Sequence, residues 1–419
     1  MQARLHGTRM MLVAAVILLL MRGVWAQGDH ARKPIGTPEY EVLLETQGGE
    51  LAFALDLKAA DGTVTAEVVN GPERIPVAVR NGSKTFTLDF PHYASEISFE
   101  IGKAELLKAG AELEVAGVWA KRRGTGKDAI VPCRLRKVAS RDWESPDAFL
   151  GRWAVSFREA SDLAVGIFER FNGNEVQGTF LTTTGDYRYL HGGVIDGRLT
   201  LTCFDGAHAF LFHARAEESG RLVGDFHSGN WYQETWAAER NESVELPDAF
   251  RQTSLTGSEN LVGLEFPNAS GEIQELAKLA ATGKVTLVEV FGTWCPNCHD
   301  EATYLKELVG KYGESGLQVV GLAFELSGDF AKDAEQVRRY RDRFAIEYPI
   351  LIAGTSDKAL ASKRFPIVDR IRSYPTTLFV DGNGKIRAIY TGFSGPATGT
   401  AHTKLRTAFE ALIDKLLQE

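Results

Sequence analysis

The chain has 419 residues, of which 44% are hydrophobic and 24% are charged, and its formal net charge is −8. This ordinary globular composition excludes a collagen-like or disordered polymer. The acidic balance argues against a protein that binds nucleic acid through a basic surface. The length favours two or three domains. With four cysteines in all, the chain has too few for a scaffold held together by disulfides.

Residues 1–26 are predicted to be a signal peptide rather than part of the fold. The 12-residue run Met10–Met21 contains no charged side chain, and Val24-Trp25-Ala26 offers small residues at the positions that a signal peptidase recognises. The run is shorter than the roughly 20 residues that a transmembrane helix needs. An uncleaved membrane anchor is the alternative, because Arg22 lies so close to the run. We therefore expect an exported protein, periplasmic in a bacterium, where a disulfide can persist.

Residues 38–240 are predicted to form an antiparallel all-β barrel or sandwich. Short alternating segments are separated by glycine-containing turns such as Asn70-Gly71-Pro72 and Asp196-Gly197. Short strands separated by frequent turns are typical of such folds. The role of this region is not indicated by its residues. The predicted strands include Thr63–Val69, Thr85–Phe90, Glu96–Ile101, Arg198–Phe204 and Ala207–Ala214.

The same region contains a weak internal repeat. The stretch from Asn81 to Phe99 resembles the stretch from Asp196 to His213, and Trp119-Ala120 is similar to Trp236-Ala237 at nearly the same offset. A two-copy repeat predicts two halves that close a single barrel. The alternative is that similar turn spacing alone creates the likeness.

A linker is predicted at residues 241–252, which show no periodicity. From residue 253 to residue 419, apolar runs alternate with helical patterns, which predicts a three-layer α/β domain. Continuous apolar runs indicate strands that are buried on both faces of a sheet. The predicted strands are Val285–Phe291, Leu317–Phe324, Tyr348–Ala353, Thr376–Val380 and Lys385–Tyr390, and the predicted helices are Cys298–Tyr312, Asp333–Phe344 and Thr403–Gln418.

The most informative motif is Cys295-Pro296-Asn297-Cys298, which follows a predicted buried strand and begins a predicted helix. Unpaired amides and the helix dipole at a helix N-terminus favour a thiolate over a thiol. Cys298 lies one helical turn further on, close enough to attack a mixed disulfide on Cys295. Pro296 suits the first helical turn, because the N–H that it lacks would be unpaired there anyway. The spacing therefore predicts a redox-active pair.

Two other interpretations of the motif are a zinc half-site and a structural disulfide. Zinc needs a second pair of ligands at a suitable spacing, and this domain offers only His299 and His402. A structural disulfide rarely follows a strand–Trp–Cys–Pro pattern. Redox chemistry suits the context better than either alternative.

A lone carboxylate interrupts the apolar strand that precedes the motif. Glu289 lies within Val285–Phe291, between Val288 and Val290. Burial without a partner raises the pKa of a carboxyl group, which would let Glu289 shuttle a proton for Cys298. The alternative is a hydrated or salt-bridged side chain at the edge of the sheet.

Three segments of the C-terminal region resemble the TlpA/ResA branch of the thioredoxin superfamily. They are Gly292–Cys298, Ser373–Thr377 and Phe379–Lys385, and the similarity covers about Ser254 to Glu419. The resemblance implies a thioredoxin fold, export, and thiol–disulfide exchange with partner proteins. It implies no metal and no cofactor other than the redox-active disulfide formed by the two cysteines of the motif.

The resemblance also assigns roles to individual residues. Pro375 matches the family's cis-proline, which faces the cysteine pair, and Tyr374 is thereby implied to present backbone polar groups to a bound partner segment. Glu289 matches the buried acid of thioredoxin, and Glu301 matches an acidic residue that tunes the cysteines in ResA-like proteins. The supporting residues of the motif are Trp294, Pro296 and Asn297.

Three further features have a weaker connection with the site. His299 stands where a Lys or Arg is common, and a protonated imidazole there would favour the thiolate. Glu325, at the end of a predicted strand, is a third carboxylate candidate. Asp329–Phe344 resembles the helical part of an insertion in this branch, and we expect it to be a solvated face.

Other features of the sequence remain open. Cys133, in a predicted connector, and Cys203, in a predicted strand, either form a disulfide with each other or stay free. The segment Thr182–Gly193 is rich in polar and aromatic residues. It is either a ligand mouth, a partner-docking surface, or a hairpin with cross-strand aromatic pairs.

Together these features predict an exported thiol–disulfide oxidoreductase, and the resemblance implies that it is more a reductant than an oxidant. Its expected partners are exported proteins with disulfides or dithiols and an upstream membrane thiol donor, and no nucleic-acid partner is expected. One alternative is a β-barrel protein that binds a ligand or partner and carries a redox-sensing thioredoxin module. The other is a peroxiredoxin-like peroxidase, which the Trp294–Cys298 motif suits less well.

Overall fold

The computed structural model describes residues 38–60, 63–106, 108, 112–122, 128–158 and 162–419. The predicted signal peptide, residues 1–26, lies outside the described residues. Among the residues that are described, no helix combines the length and the apolar character needed to cross a membrane. Pro38–Glu419 groups as one compact unit.

The first strands of the described chain close into an antiparallel barrel. They are β1 (Tyr40–Thr46), β2 (Gly49–Ala60), β3 (Thr63–Asn70), β4 (Glu73–Asn81), β5 (Phe86–Phe90), β6 (Ser95–Phe99), β7 (Glu114–Lys121) and β8 (Ala129–Lys137). Consecutive strands pair, and β1 pairs back with β8 to close the barrel. A 3₁₀ turn, Pro91–Tyr93, joins β5 to β6, and a short helix, α1 (Lys103–Leu106), follows β6.

The next strands form a second closed barrel. They are β9 (Gly151–Phe157), β10 (Ala164–Arg170), β11 (Val176–Thr182), the two-residue β12 (Gly185–Asp186), β13 (Leu190–Ile195), β14 (Arg198–Phe204), β15 (Ala209–Ala216), β16 (Leu222–Ser228) and β17 (Tyr232–Arg240). Closure comes from the pairing of β9 with β17 and of β10 with β11. Strand β12 is a hairpin extension that pairs with the end of β11.

The prediction of an antiparallel all-β region is therefore confirmed, but the prediction that two halves close a single barrel is wrong. Among the described residues each half holds eight long strands, enough to close around an interior that side chains can fill. Closure also pairs the two edge strands of each sheet with each other, so that their backbone hydrogen-bonding groups are not left unpaired. The barrels share apolar contacts, among them the stacking of Phe204 of the second barrel on Phe53 of the first at 4.4 Å and the contact of Trp231 of the second with Trp119 of the first at 5.6 Å.

The internal repeat stays a prediction. Asn81 and Asp196 each precede the fifth long strand of their barrel, as the proposed alignment requires. Trp119, however, lies on the seventh strand of the first barrel, whereas Trp236 lies on the eighth long strand of the second. The two likenesses therefore require different alignments of the barrels.

The C-terminal region is an α/β domain with a thioredoxin fold. Its strands are β18 (Glu265–Pro267), β19 (Ile273–Glu275), β20 (Val285–Phe291), β21 (Leu317–Glu325), β22 (Ile350–Thr355), β23 (Thr376–Asp381) and β24 (Ile386–Thr391). Its helices are α2 (Leu276–Ala280), α3 (Pro296–Tyr312), α4 (Phe330–Phe344), α5 (Lys358–Arg364) and α6 (Thr400–Gln418). The main sheet has the order β22-β21-β20-β23-β24, with β20, β21 and β22 parallel and the other two strands antiparallel to their neighbours.

Helices cover both faces of this sheet. Leu287 of β20 belongs to the same apolar cluster as Phe409 of α6. Its neighbour Val288 belongs to the cluster that contains Val337 of α4. Because successive side chains of a strand point to opposite faces, these two clusters define the outer layers of the predicted three-layer domain.

Most of the predicted elements of this domain are present, with ends displaced by a few residues. The expectation that Asp329–Phe344 is a solvated face is wrong in part. Asp329 caps α4 by accepting hydrogen bonds from the amides of Ala331 and Lys332, and Ala334, Val337 and Tyr340 are buried. The predicted linker at residues 241–252 contains a 3₁₀ turn, Ala249–Arg251, and its role as a linker stays a prediction.

Candidate active site

The cysteine motif lies at the junction between the central strand and helix α3. Strand β20 ends at Phe291, and Cys295 is the N-cap residue of the helix, with extended backbone angles. The amide of Cys298 donates a hydrogen bond to Cys295 Sγ at 3.3 Å. A sulfur in this position takes the place of the side-chain oxygen that usually caps a helix. The helix starts at Pro296, two residues before the predicted start, because proline is well suited to the first helical position.

The loop before β23 forms the opposite wall of the site. The thiol of Cys295 donates to the carbonyl of Tyr374 at 3.4 Å, and the peptide bond between Tyr374 and Pro375 is cis. Trp294 donates its indole N–H to the carbonyl of Phe324 at 2.9 Å, and its ring meets the ring of Tyr374 edge to face at 5.5 Å. The structure therefore places Cys295, Trp294, Tyr374 and Pro375 at one site.

Cys298 is fully buried beneath Cys295. Burial raises the pKa of the Cys298 thiol well above its usual range, and the neighbouring Cys295 and Glu289 raise the pKa further. The inner cysteine therefore rests as a thiol and needs a proton acceptor before it can act as a nucleophile.

Glu289 lies on β20 and is inaccessible to solvent. Neither carboxylate oxygen makes a hydrogen bond of normal geometry among the described residues. Burial, followed by the nearby Glu301 and Cys295, raises the pKa of Glu289 well above its ordinary value, and Tyr348 opposes this shift weakly. The alternative of a hydrated edge residue is thus excluded, and Glu289 rests as a neutral acid.

Glu301 forms a second buried acid beside Glu289. Its Oε1 atom accepts a 2.6 Å hydrogen bond from the hydroxyl of Thr377, the residue that pairs with Glu289 across β20 and β23. Burial raises the pKa of Glu301 to about 8. Glu301 is thus buried rather than solvated, and the site contains two buried acids near the inner cysteine.

Glu325, the weaker candidate, supports the turn that precedes the motif. Its two oxygens accept hydrogen bonds from the amide of Thr293 at 2.9 Å and from the hydroxyl of Thr293 at 2.6 Å. Burial raises the pKa of Glu325 to about 7. Its contacts show a group that holds the turn before Trp294 in place.

His299 does not supply the positive charge that a protonated imidazole would have placed beside the cysteines. The ring is buried, its Nε2 atom lies 2.7 Å from the carbonyl of Thr293, and burial lowers its pKa well below the usual value. It stacks on Tyr93 of the first barrel with 4.6 Å between ring centroids and parallel planes. A neutral, packed imidazole therefore replaces the expected imidazolium.

The second barrel also reaches the motif, through contacts that the sequence did not reveal. Arg188 donates to the carbonyl of Pro296 at 3.2 Å and to Asp300 Oδ2 at 2.8 Å. Gly185 packs so closely on Asn297 that a Cβ atom at residue 185 would lie 1.8 Å from the side-chain nitrogen of Asn297. The only sequence signal for this region was the polar and aromatic character of Thr182–Gly193.

The remaining cysteines are separate from this site and from each other. Cys133 lies in strand β8 rather than in a connector, within the apolar core of the first barrel. Cys203 lies in β14, within the core of the second barrel. Both are free and buried, so the possible disulfide between them is absent. Burial raises the pKa of Cys133 to about 12 and that of Cys203 well above its ordinary value, which marks them as unreactive core residues.

Within the described part of the chain, no group of three or more His, Cys, Asp or Glu side chains is arranged to hold a metal ion.

A cysteine pair at a helix N-terminus, opposed by a cis-proline loop on a five-stranded α/β sheet, defines the class of thioredoxin-fold oxidoreductases. The comparisons with known proteins agree with this class. A family model described as the AhpC/TSA family matches residues 259–389.

The chain is similar to two curated relatives and to one solved structure. The thiol-disulfide oxidoreductase ResA of Halalkalibacterium halodurans is 31% identical over 147 residues, which cover 34% of this chain and 73% of the relative. The thioredoxin-like protein YneN of Bacillus subtilis is 32% identical over 123 residues, covering 29% of this chain and 64% of that protein. A thiol:disulfide interchange protein of the thioredoxin family from Chlorobium tepidum has 22% identity and a TM-score of 0.26, covering 36% of this chain and 99% of that chain.

The chain therefore belongs to the ResA-like thiol–disulfide oxidoreductases. Its redox group is a pair of its own cysteines, and the family uses no external cofactor. The residues that match the family model lie in the C-terminal region, and the chain covers some of the curated relatives for less than two thirds of their own length.

Proposed function

We propose that this protein is an exported oxidoreductase that reduces disulfides in partner proteins, with Cys295 as the attacking residue and Cys298 as the resolving residue. The observation that carries the proposal is the position of Cys295. Its sulfur caps helix α3 and faces the carbonyl of Tyr374, while Cys298 lies one turn behind it. This arrangement allows Cys295 to attack a partner disulfide while Cys298 stays buried until the resolving step.

The exchange proceeds in two balanced steps. The thiolate of Cys295 attacks one sulfur of the partner disulfide, and the other partner sulfur leaves as a thiolate that takes up a proton. Cys298 then loses its proton and attacks the sulfur of Cys295, which releases the second partner thiol and leaves the disulfide Cys295–Cys298. Two electrons have passed to the partner. The pair is reduced again by an upstream thiol donor at the membrane.

The buried acids assist the second step. The pKa of the Cys298 thiol is raised by burial, so the thiol needs a base close by. Glu289 is buried near Cys298, and burial raises the pKa of its carboxyl group, which makes the carboxylate a stronger base. The ionised form of Glu289 accepts the proton that Cys298 loses in the second step. Pro375 and Tyr374 have a different role, which is to bind the partner segment beside Cys295, as the resemblance implies.

The reducing direction is what the resemblance to the TlpA/ResA branch implies. An oxidising pair is one whose reduced form is stabilised, usually as a thiolate. The midpoint potential of the pair therefore decides between the two directions.

The alternative of a ligand-binding barrel has less support. Aromatic side chains fill the interiors of both barrels; in the second, the rings of Phe180 and Phe212 stack at 4.5 Å, and those of Phe212 and Phe226 stack at 4.3 Å. We therefore propose an auxiliary role for the barrels, in contact with the redox site.

The proposal is tested by trapping partners on the full-length chain. The Cys298→Ala variant cannot complete the second step, so mixed disulfides on Cys295 should accumulate when the variant is exported in cells. The matched control is Cys203→Ala, which removes a buried cysteine outside the site. Exported proteins linked to Cys295 in the first variant alone would support the proposal, whereas their absence under conditions in which Cys295 can be alkylated would refute it.

A further inference from the structure

A short segment of the second barrel lies across the face of the thioredoxin domain that carries the cysteine pair. We call residues Thr184–Arg188, which include β12, the cap segment. The carbonyl of Thr184 accepts a 2.6 Å hydrogen bond from the hydroxyl of Ser373. Asp186 Oδ2 accepts a 2.6 Å hydrogen bond from the amide of Gly395. The segment is thus bound to two loops of the thioredoxin domain by direct polar contacts.

The cap segment also contacts the motif between the two cysteines. Gly185 packs on the side chain of Asn297, and its φ of +152° lies in a region that favours glycine. Arg188 donates to the carbonyl of Pro296 at 3.2 Å. Pro296 and Asn297 separate the two cysteines, so these contacts lie on the segment between Cys295 and Cys298.

These contacts reach both walls of the groove beside Cys295. Pro296 and Asn297 belong to the helix wall, and Ser373 precedes Tyr374, whose carbonyl faces the sulfur. Cys295 retains only 6% of its accessible surface. A partner segment that is to reach this sulfur needs the space between the same two walls.

Arg188 fixes the cap segment in place through charges. Its guanidinium forms ion pairs with Glu73 of the first barrel at 2.6 Å and with Asp300 of helix α3 at 2.8 Å, and a longer one with Asp205 of the second barrel at 3.9 Å. The side chain is 11% exposed. One buried cation therefore joins both barrels to the helix that carries the cysteines.

The first barrel adds a contact on the far side of the motif. The ring of Tyr93 lies flat on His299, the residue after Cys298, and Gln336 of α4 donates a hydrogen bond to the carbonyl of His92. Both barrels thus hold the start of helix α3. The cap segment meets the thioredoxin domain mainly through hydrogen bonds and ion pairs, which a competing chain can replace. Its Tyr187 stays packed against the rings of Phe180 and Phe212 in the second barrel.

We propose that the cap segment occupies the partner-docking groove beside Cys295 and must be displaced by a partner protein before disulfide exchange. The inference rests on the proposed function, because it concerns access to the same sulfur. The occupant of the groove is a segment of this chain. A partner gains access when its own polypeptide takes over the contacts to Ser373, Gly395 and Pro296 that the cap segment now makes.

The test is the rate at which Cys295 is alkylated in the full chain. A small maleimide is applied in the Cys298→Ala background, and modification of the peptide that contains Cys295 is followed by mass spectrometry. Arg188→Gln and Asp186→Asn each weaken the cap, and we expect both to raise the rate, about tenfold for Arg188→Gln because a hydrogen-bonded charge is lost. Arg170→Gln, which removes an exposed ion pair of the same barrel, should leave the rate unchanged.

The two cap variants remove charges of opposite sign. A direct electrostatic effect on the sulfur would change the rate in opposite directions, so a common increase can come only from exposure. Circular dichroism confirms that each variant is folded, and Asp186→Asn keeps the test decisive if Arg188→Gln does not fold. Equal rates in the parent chain and in the folded variants would overturn the proposal.

The outcome separates this inference from the proposed function. If alkylation accelerates but the intact cysteine pair exchanges with no disulfide, the cap is real and the function is wrong. If the pair reduces protein disulfides while the cap variants show no acceleration, the function holds and the cap proposal is wrong.

Discussion

Arg188 of the second barrel and Asp300 of helix α3 form a 2.8 Å ion pair across 112 residues of sequence. Asp300 lies two residues after Cys298, so this pair joins the auxiliary barrels to the helix that carries the redox chemistry. Burial raises the pKa of Asp300 to about 7, against the opposing effect of Arg188, while Asp186 and Glu73 raise it as well. The charge of Asp300, and with it the ion pair, therefore depends on pH in the neutral range.

The first prediction concerns the strength of this ion pair. We expect a double-mutant cycle of Arg188→Gln and Asp300→Asn to give a coupling energy of about 1–3 kcal/mol at pH 8. Because Asp300 becomes protonated as the pH falls through about 7, the coupling should shrink at pH 6. Urea unfolding of the four proteins at both pH values measures this quantity. A coupling energy that is the same at pH 6 and pH 8 would contradict the raised pKa of Asp300.

The second prediction concerns Glu301 and the pH dependence of stability. The pKa of Glu301 is raised from its ordinary 4.5 to about 8, so the folded state keeps a proton that the unfolded state releases. The contribution of Glu301 to the free energy of unfolding is therefore most favourable below pH 4.5 and decreases as the pH rises toward 8. Glu301→Gln removes the titration and keeps an oxygen for the hydroxyl of Thr377. We expect the variant to be more stable than the parent chain at pH 9, by about 1–3 kcal/mol.

Chemical unfolding across a pH series tests the second prediction. Glu307→Gln is the matched control, because Glu307 lies on the same helix with its side chain half exposed. The control should leave the slope of stability against pH nearly unchanged. A Glu301→Gln variant with the parent's slope, or with lower stability at pH 9, would show that Glu301 is ionised in the folded chain.

The third prediction concerns Glu289 in the second step of exchange. Glu289→Gln removes the buried acid but keeps its size, so Cys298 loses its proton relay. We expect the mixed disulfide on Cys295 to resolve about 10²-fold more slowly, while the first attack by Cys295 changes little. Stopped-flow fluorescence of Trp294, which lies next to the pair, follows both steps. Resolution at the parent rate would exclude this role for Glu289.

The fourth prediction concerns the fit of Gly185 against Asn297. Alanine at residue 185 places a Cβ atom 1.8 Å from the Asn297 side chain and strains a backbone with φ of +152°. We expect Gly185→Ala to cost about 1–3 kcal/mol and to accelerate alkylation of Cys295. Gly173→Ala is the control, because Gly173 also has a positive φ but no atom lies within 4 Å of its Cβ position. Equal effects of the two substitutions would mean that contact with Asn297 contributes nothing.

The thioredoxin domain could be predicted from sequence because its signals are local. The continuous apolar run Val285–Phe291 marks a strand buried on both faces, and Pro296 marks the start of the helix. Glu289 could be singled out because a carboxylate within such a run is unusual. The burial of Glu301 could not be predicted, because it depends on Thr377 of a distant strand.

The barrels were harder to predict because their closure is not local. Pro132 interrupts the apolar alternation around Cys133, which made strand β8 resemble a connector. Without that strand the first half lacks the partner that β1 needs to close the barrel. The contacts of Arg188 were equally hidden, because an arginine after a turn carries no signal for an acid 112 residues away.

The central claim, that Cys295 and Cys298 form a reducing redox pair, is tested most directly by the midpoint potential of the full chain. Equilibration with a series of dithiol buffers, followed by mass spectrometry of the two cysteines, gives this value. We predict a two-electron transition at about −270 mV, the range of thioredoxin itself. A midpoint at about −120 mV, typical of strong oxidants, would contradict the reducing direction. The lack of any transition at this pair would contradict the claim as a whole.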